Sequence, residues 1–183
     1  MGKFIEVYDD VLSPKLVDAV EKITLTNSII PFSYCENLTN TNQNHPDFYF
    51  KPGINHVFYS HKKDLSEFSD FYNNILYNFC GFKKIFIKQL MAGRIFVDFP
   101  TPNPKTDFPP HTDSPIPHWV CLYYINDSDG DTIFYKEDKI TEIKRVSPKK
   151  GRIAFFDGSI YHAGTPSETS SRAVVNFDFT PYL

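Results

Sequence analysis

Residues 151–180 read GRIAFFDGSIYHAGTPSETSSRAVVNFDFT, and the fold class turns on this stretch. Two apolar runs, 152–157 and 172–179, are rich in Ile, Val and Phe and are set apart by turn formers beginning at Asp157-Gly158. Short runs of β-branched and aromatic residues bounded in this way predict strands. Upstream, the pattern recurs at 83–90, 94–99, 119–125, 131–136 and 140–146, with a turn between Asn126 and Gly130. Strands at this spacing predict a sandwich, barrel or jelly roll. The chain's 18 Phe, 11 Tyr and 1 Trp suit such packed sheets.

Before residue 83 the signals differ. Residues 4–11 (FIEVYDDV) alternate as a strand does. Ser13-Pro14 reads as cap and first position of a helix over 14–25, with Leu16, Val17, Val20 and Ile23 on one face. Asp64 and Glu67 read as a capping box opening a second helix over 65–80, whose apolar face is Leu65, Phe68, Phe71, Tyr72, Ile75, Leu76 and Phe79. Residues 26–63 show no clear period. Seven of the 14 prolines fall within 100–117, which predicts a stiff loop ending at His111. With 183 residues the chain is expected to form one domain, 1–82 giving helical support and loops and 83–183 the β core.

Nineteen Lys and Arg against 22 Asp and Glu give a net charge of −3. No basic stripe is present, so a nucleic-acid partner is not expected. No apolar run approaches the roughly 18 residues of a membrane span, and none is expected. Cys35, Cys80 and Cys121, odd in number and widely spaced, read as free thiols of a reducing, cytoplasmic setting.

His111-Thr112-Asp113 carries the chemistry. On an extended strand, residues i and i+2 face the same way, so an imidazole and a carboxylate can hold adjacent positions on one metal. His162 is the candidate third ligand, 49 residues beyond Asp113. Two His and one carboxylate on one face suit non-haem Fe(II). A second match, His45-Pro46-Asp47, reads as a surface turn because Pro46 disfavours a regular strand. Arg172 stands ten residues after His162, and Arg is scarce here, 4 against 15 Lys. Its planar fork suits a carboxylate. Iron with open positions beside a carboxylate clamp implies a bidentate keto-acid cosubstrate.

HTD at 111–113, YYIND at 123–127, GRIAFFDGSIYHAGTP at 151–166 and Arg172 together resemble the 2-oxoglutarate/Fe(II)-dependent dioxygenases. The likeness lies with the prolyl-hydroxylase-like branch, including small bacterial and viral members, and covers about residues 83–180. The resemblance implies an α+β, mainly β fold, a double-stranded β-helix (jelly roll) with two N-terminal supporting helices. It implies Fe(II) held by His111, Asp113 and His162, and 2-oxoglutarate whose distal carboxylate meets Arg172 and Tyr124. Ascorbate is an accessory of such enzymes. The implied reaction is hydroxylation of a C–H bond in a peptide, a prolyl residue among the options, or in a small molecule. Asp113 itself favours hydroxylation over halogenation.

Val174 departs from branches with Ser or Thr two residues after the basic residue, while Asn176 shares the parity of Arg172. Alternation puts Val120, Leu122 and Tyr124 on one strand face and Cys121, Tyr123 and Ile125 on the other. Arg94, Asp98 and Phe99 fall on the strand before the proline-rich loop. Phe32, Tyr34, Tyr49, Phe50, Tyr59, His118 and Trp119 are candidate walls of a substrate mouth, whereas His56 and His61 read as structural or exposed. Two other readings stay open: a cupin-like metalloenzyme that does not use 2-oxoglutarate, and a non-catalytic jelly-roll binding module.

Overall fold

The computed structural model describes residues 2–36, 38, 51–101 and 108–182. His45, Asp47, Tyr49 and Phe50 lie outside the described residues. β11 (Arg172–Pro181) runs through the middle of the main sheet and is buried over its first eight residues. Its odd positions, Ala173, Val175, Phe177 and Phe179, enter the core beneath the helices. Its even positions, Arg172, Val174, Asn176 and Asp178, face the opposite way, toward the second sheet. Burial on both faces is why this strand reads as a continuous apolar run.

β11 pairs antiparallel with β5 (Ile87–Asp98) on one side and β6 (Trp119–Tyr124) on the other. β9 (Ile153–Asp157) and β1 (Ile5–Tyr8) extend the sheet beyond β6. β3 (Gly53–Ser60) and β2 (Ser33–Cys35) extend it beyond β5, and β4 (Lys63–Asp64) pairs with β3. A second sheet has the order β10 (Tyr161–Gly164), β7 (Thr132–Tyr135), β8 (Glu142–Val146). An isolated antiparallel bridge joins His111 to His162 at the free edge of β10. The chain thus winds from β5 in one sheet to the bridge in the other, back to β6, across to β7 and β8, and home through β9, β10 and β11. This is the expected jelly roll.

Val120, Leu122, Tyr124, Phe134, Val146, Ala154, Phe156, Ile160 and Val174 fill the space between the sheets. Cys121, Tyr123 and Ile125 enter the other core, as the alternation of β6 predicts. There α2 (Ser69–Lys83) buries Tyr72, Ile75, Leu76 and Phe79 completely, each worth about 1.5–3 kcal/mol relative to exposure. Cys35, Cys80 and Cys121 are free. Among the described residues no helix is long and apolar enough to cross a membrane.

Several boundaries differ from expectation for identifiable reasons. The first helix, α1 (Pro14–Glu21), starts under a hydrogen bond from Leu16 N–H to Ser13 Oγ, then widens to i→i+5 geometry over Lys22–Thr26. There the Thr24 hydroxyl donates to the Val20 carbonyl at 2.6 Å and loosens the turn. The Asp64/Glu67 capping box does not form. Asp64 pairs with Tyr59 in β4, after a turn with positive φ at His61 and Lys62, and α2 starts only at Ser69. The expected break between two strands at 90–94 is absent: β5 runs on through Gly93, opposite a bulge in β3 where the Phe58 ring packs on the glycine. A Cβ at Gly93 would clash with Phe58 Cε2, well inside van der Waals contact. Strands before residue 83 also join the main sheet, so that boundary does not divide helical support from β core.

Candidate functional site

The bridge that ends the proline-rich loop sets the site. His111 N–H donates to the His162 carbonyl at 2.9 Å, and His162 N–H returns to His111 at 2.9 Å. The two rings therefore face each other, with centroids 4.9 Å apart. His111 Nδ1 lies 3.3 Å from the Pro109 carbonyl, and His162 Nδ1 lies 3.1 Å from that of Ile160. A carbonyl only accepts, so each Nδ1 carries a proton and each Nε2 is the ring nitrogen turned toward the other ligands. Asp113 completes the group, with Oδ1 3.8 Å from His111 Nε2 and Oδ2 3.6 Å from His162 Nε2. All three ligand atoms lie within 4.8 Å of one another.

Asp113 is oriented from behind. Asn176 Nδ2 donates to its Oδ2 at 3.1 Å. Burial pushes the Asp113 carboxyl up, but His162, Arg94, His111 and the Asn176 hydrogen bond outweigh this and bring it to about 2. Burial, reinforced by the neighbouring His162, pushes His111 down to about 4. Beyond Asn176, Asp178 pairs with Arg94 and lies 4.0 Å from His118 Nε2. Burial and then the Asp113 charge raise the Asp178 carboxyl to about 7. The donor set fits a divalent first-row metal: two imidazoles and an ionised carboxylate on one side, with their outer atoms already engaged.

A 290 Å³ cavity leads from this group between the sheets. Its middle is apolar, walled by Phe96, Val120, Leu122, Phe156 and Val174. Its far end is charged, formed by Lys51, Asp98, Thr132 and Arg172. The pleat explains the layout, since Asp98, Phe96 and Arg94 on β5 stand opposite Arg172, Val174 and Asn176 on β11. Arg172 Nη2 donates to Thr132 Oγ1 at 2.7 Å, and Nη1 to Asp98 at 3.4 Å, while its Nε is buried without a partner among the described residues. Lys51 Nζ lies 3.2 Å from Asp98 and over the Phe108 ring at 4.6 Å. Burial lowers the Lys51 ammonium, with Asp98 opposing.

His111, Asp113, His162 and Arg172 therefore share one cavity. Tyr124 sits behind it: its hydroxyl donates to Thr132 Oγ1 at 2.7 Å and its ring lies 5.7 Å from the Arg172 guanidinium carbon. The described candidate mouth residues, Phe32, Tyr34, Tyr59, His118 and Trp119, do not line the cavity. Phe32, Tyr59 and Trp119 pack against the helix-side core, Tyr34 is exposed, and His118 is buried with Nδ1 2.7 Å from the Ile116 carbonyl. His56 is held between Pro31 and Ser66. Sequence reasoning missed Lys51, Thr132 and Asp178. The polar residues at period two in RAVVNFD could have flagged Asp178, but Lys51, in an aperiodic stretch, carries no such signal.

Neither family models nor curated proteins match the sequence. Among solved structures, the chain is similar to a viral collagen prolyl hydroxylase from Paramecium bursaria Chlorella virus-1 in a 2OG complex. Identity is 17%, coverage 97% of this chain and 96% of that one, and the TM-score 0.58. A prolyl hydroxylase from Trichoplax adhaerens, in complex with a hypoxia inducible factor peptide fragment, is 13% identical with a TM-score of 0.67, over 96% of this chain and 83% of that one. A 2OG-Fe(II) oxygenase family oxidoreductase from Burkholderia pseudomallei is 10% identical with a TM-score of 0.66, over 98% and 85%. At these identities the likeness establishes the fold.

Proposed function

We propose that this chain is a single-domain, cytoplasmic, non-haem Fe(II) dioxygenase that couples oxidative decarboxylation of 2-oxoglutarate to hydroxylation of a C–H bond. The observation that carries the reading is the pairing of two ends in one cavity. At one end the Nε2 atoms of His111 and His162 converge with Asp113, and at the other stands the buried Arg172. A five-carbon keto diacid has the matching form, a chelating head and a distal carboxylate. A cupin-like metalloenzyme has no use for that buried guanidinium. Free, buried Cys80 and Cys121 support a reducing compartment.

His111, Asp113 and His162 would hold Fe(II), which with 2-oxoglutarate supplies the dioxygen chemistry. Arg172 takes the distal carboxylate, and Tyr124 braces it through Thr132. Phe96, Val120, Leu122 and Val174 cover the methylene chain and keep water out. Asn176 keeps Asp113 turned toward the histidines. The peptide in the Trichoplax complex supports a peptidyl substrate, with a prolyl residue as the first to test.

The test is anaerobic addition of Fe(II) and 2-oxoglutarate, monitored for the visible charge-transfer band of a chelated keto acid, beside His162→Ala. A band in the parent protein alone is expected. Iron binding without a band would favour the cupin-like reading, and no iron binding the non-catalytic one.

A further inference from the structure

Arg172 does not stand alone at the far end of the cavity. Asp98 accepts from it, so the guanidinium and the carboxylate form a charge-neutral buried pair. A neutral pair gives an incoming anion little to gain. Lys51 alters the balance. Its ammonium reaches the same Oδ2 of Asp98 from the other side, at 3.2 Å against 3.4 Å for Arg172 Nη1. Among the described lining residues this end therefore carries two cations and one carboxylate. The surplus positive charge faces the cavity, which Lys51, Gly164 and Arg172 all line, and a Cβ at Gly164 would be in van der Waals contact with both cations, 3.7 Å from Lys51 Nζ and from Arg172 Nη1. Arg172 Nε and Asp98 Oδ1 are buried and lack partners among the described residues, so the resident carboxylate meets the guanidinium poorly. A bidentate anion would satisfy it better.

Resting on the function proposed above, we infer that Lys51 is the residue that makes the far end selective for a dicarboxylic keto acid, and that Asp98 is an internal competitor for the same two cations. Lys51 contacts the distal carboxylate directly beside Arg172. Asp98 holds both cations apart from solvent while the cosubstrate is absent and gives up part of their interaction when it arrives. Burial with one shared counter-charge lowers the ammonium, and the arriving carboxylate provides the missing one.

The experiment is calorimetric titration of Mn(II)-loaded protein with 2-oxoglutarate and, separately, with 2-oxobutyrate, which has the keto-acid head but no distal carboxylate. Lys51→Met should weaken 2-oxoglutarate by about 10- to 100-fold, the worth of a charged hydrogen bond. It should leave 2-oxobutyrate and Mn(II) binding unchanged. Asp98→Asn should tighten 2-oxoglutarate alone. Parent-like 2-oxoglutarate binding in Lys51→Met, or equal weakening of both acids, overturns the assignment. Should Lys51→Met fail to fold, Asp98→Asn decides: tighter binding supports the inference, and unchanged or weaker binding refutes it. A Mn(II)-loaded parent protein that takes up neither acid removes the 2-oxoglutarate reading itself, a different result from loss of selectivity in one variant.

Discussion

Thr132→Val tests whether the far end is a connected polar unit. Thr132 Oγ1 is nearly solvent-free and receives two donors at 2.7 Å, the Tyr124 hydroxyl and Arg172 Nη2. Valine keeps the shape and removes the only acceptor that either hydrogen bond uses. Each buried donor left without a partner costs about 1–3 kcal/mol, so the loss should be about 2–6 kcal/mol. That is a large share of the roughly 5–15 kcal/mol stability of a domain. Tyr124→Phe removes one of the same bonds but leaves Thr132 accepting from Arg172, so it should cost only about 1 kcal/mol. The double variant has one orphaned donor instead of two and should fall short of additivity by about 2–4 kcal/mol. Urea unfolding of the four proteins measures all of this. A Thr132→Val cost no greater than that of Tyr124→Phe, or strict additivity, would refute the shared-acceptor geometry.

Asn176→Ala removes the hydrogen bond behind Asp113 and should weaken Mn(II) binding by about 10- to 100-fold with unfolding unchanged in cooperativity; parent-like affinity in a metal titration would count against the orienting role. Gly158→Ala should perturb the site from outside, because its Cβ would strike the buried His118 ring, at a cost of about 1–3 kcal/mol in denaturant unfolding. The His111 imidazole should titrate well below its ordinary 6.5, toward 4, in metal-free protein followed by ring NMR. Its folded pKa is lowered, so the fold binds fewer protons than the unfolded chain between those values. The stability it confers is present above 6.5 and is lost as the pH falls toward 4. A midpoint at 6.5 would contradict the close approach of His111 to His162. Asp178, raised to about 7, works in the opposite sense, stabilising the fold as the pH falls below 7. Asp178→Asn should therefore make the protein more acid-sensitive in pH-dependent unfolding, and an unchanged profile would exclude that contribution.

Much of the architecture was legible because it is local. Side-chain alternation is a property of each strand, so the two faces of β6 and the shared face of Arg172 and Asn176 follow from residue order alone. The apolar face of α2 was equally plain, although its start was not. Asp64 and Glu67 match a capping box in sequence, but pairing with Tyr59 in β4 takes Asp64 first. The gap between the strands expected at 83–90 and 94–99 closes for the same kind of reason, since the Phe58 ring that packs on Gly93 comes from another strand.

The sequence by itself determined the strand-rich class, the facing of residues within each strand, and a set of chemically apt side chains in His111, Asp113, His162 and Arg172. Tertiary structure decided which of these meet and what surrounds them. The His111–His162 bridge, the Thr132–Arg172 hydrogen bond and the approach of Lys51 to Asp98 join residues 40 to 51 positions apart. Such encounters depend on inter-strand register and on how the two sheets pack, which no periodicity within a single segment encodes.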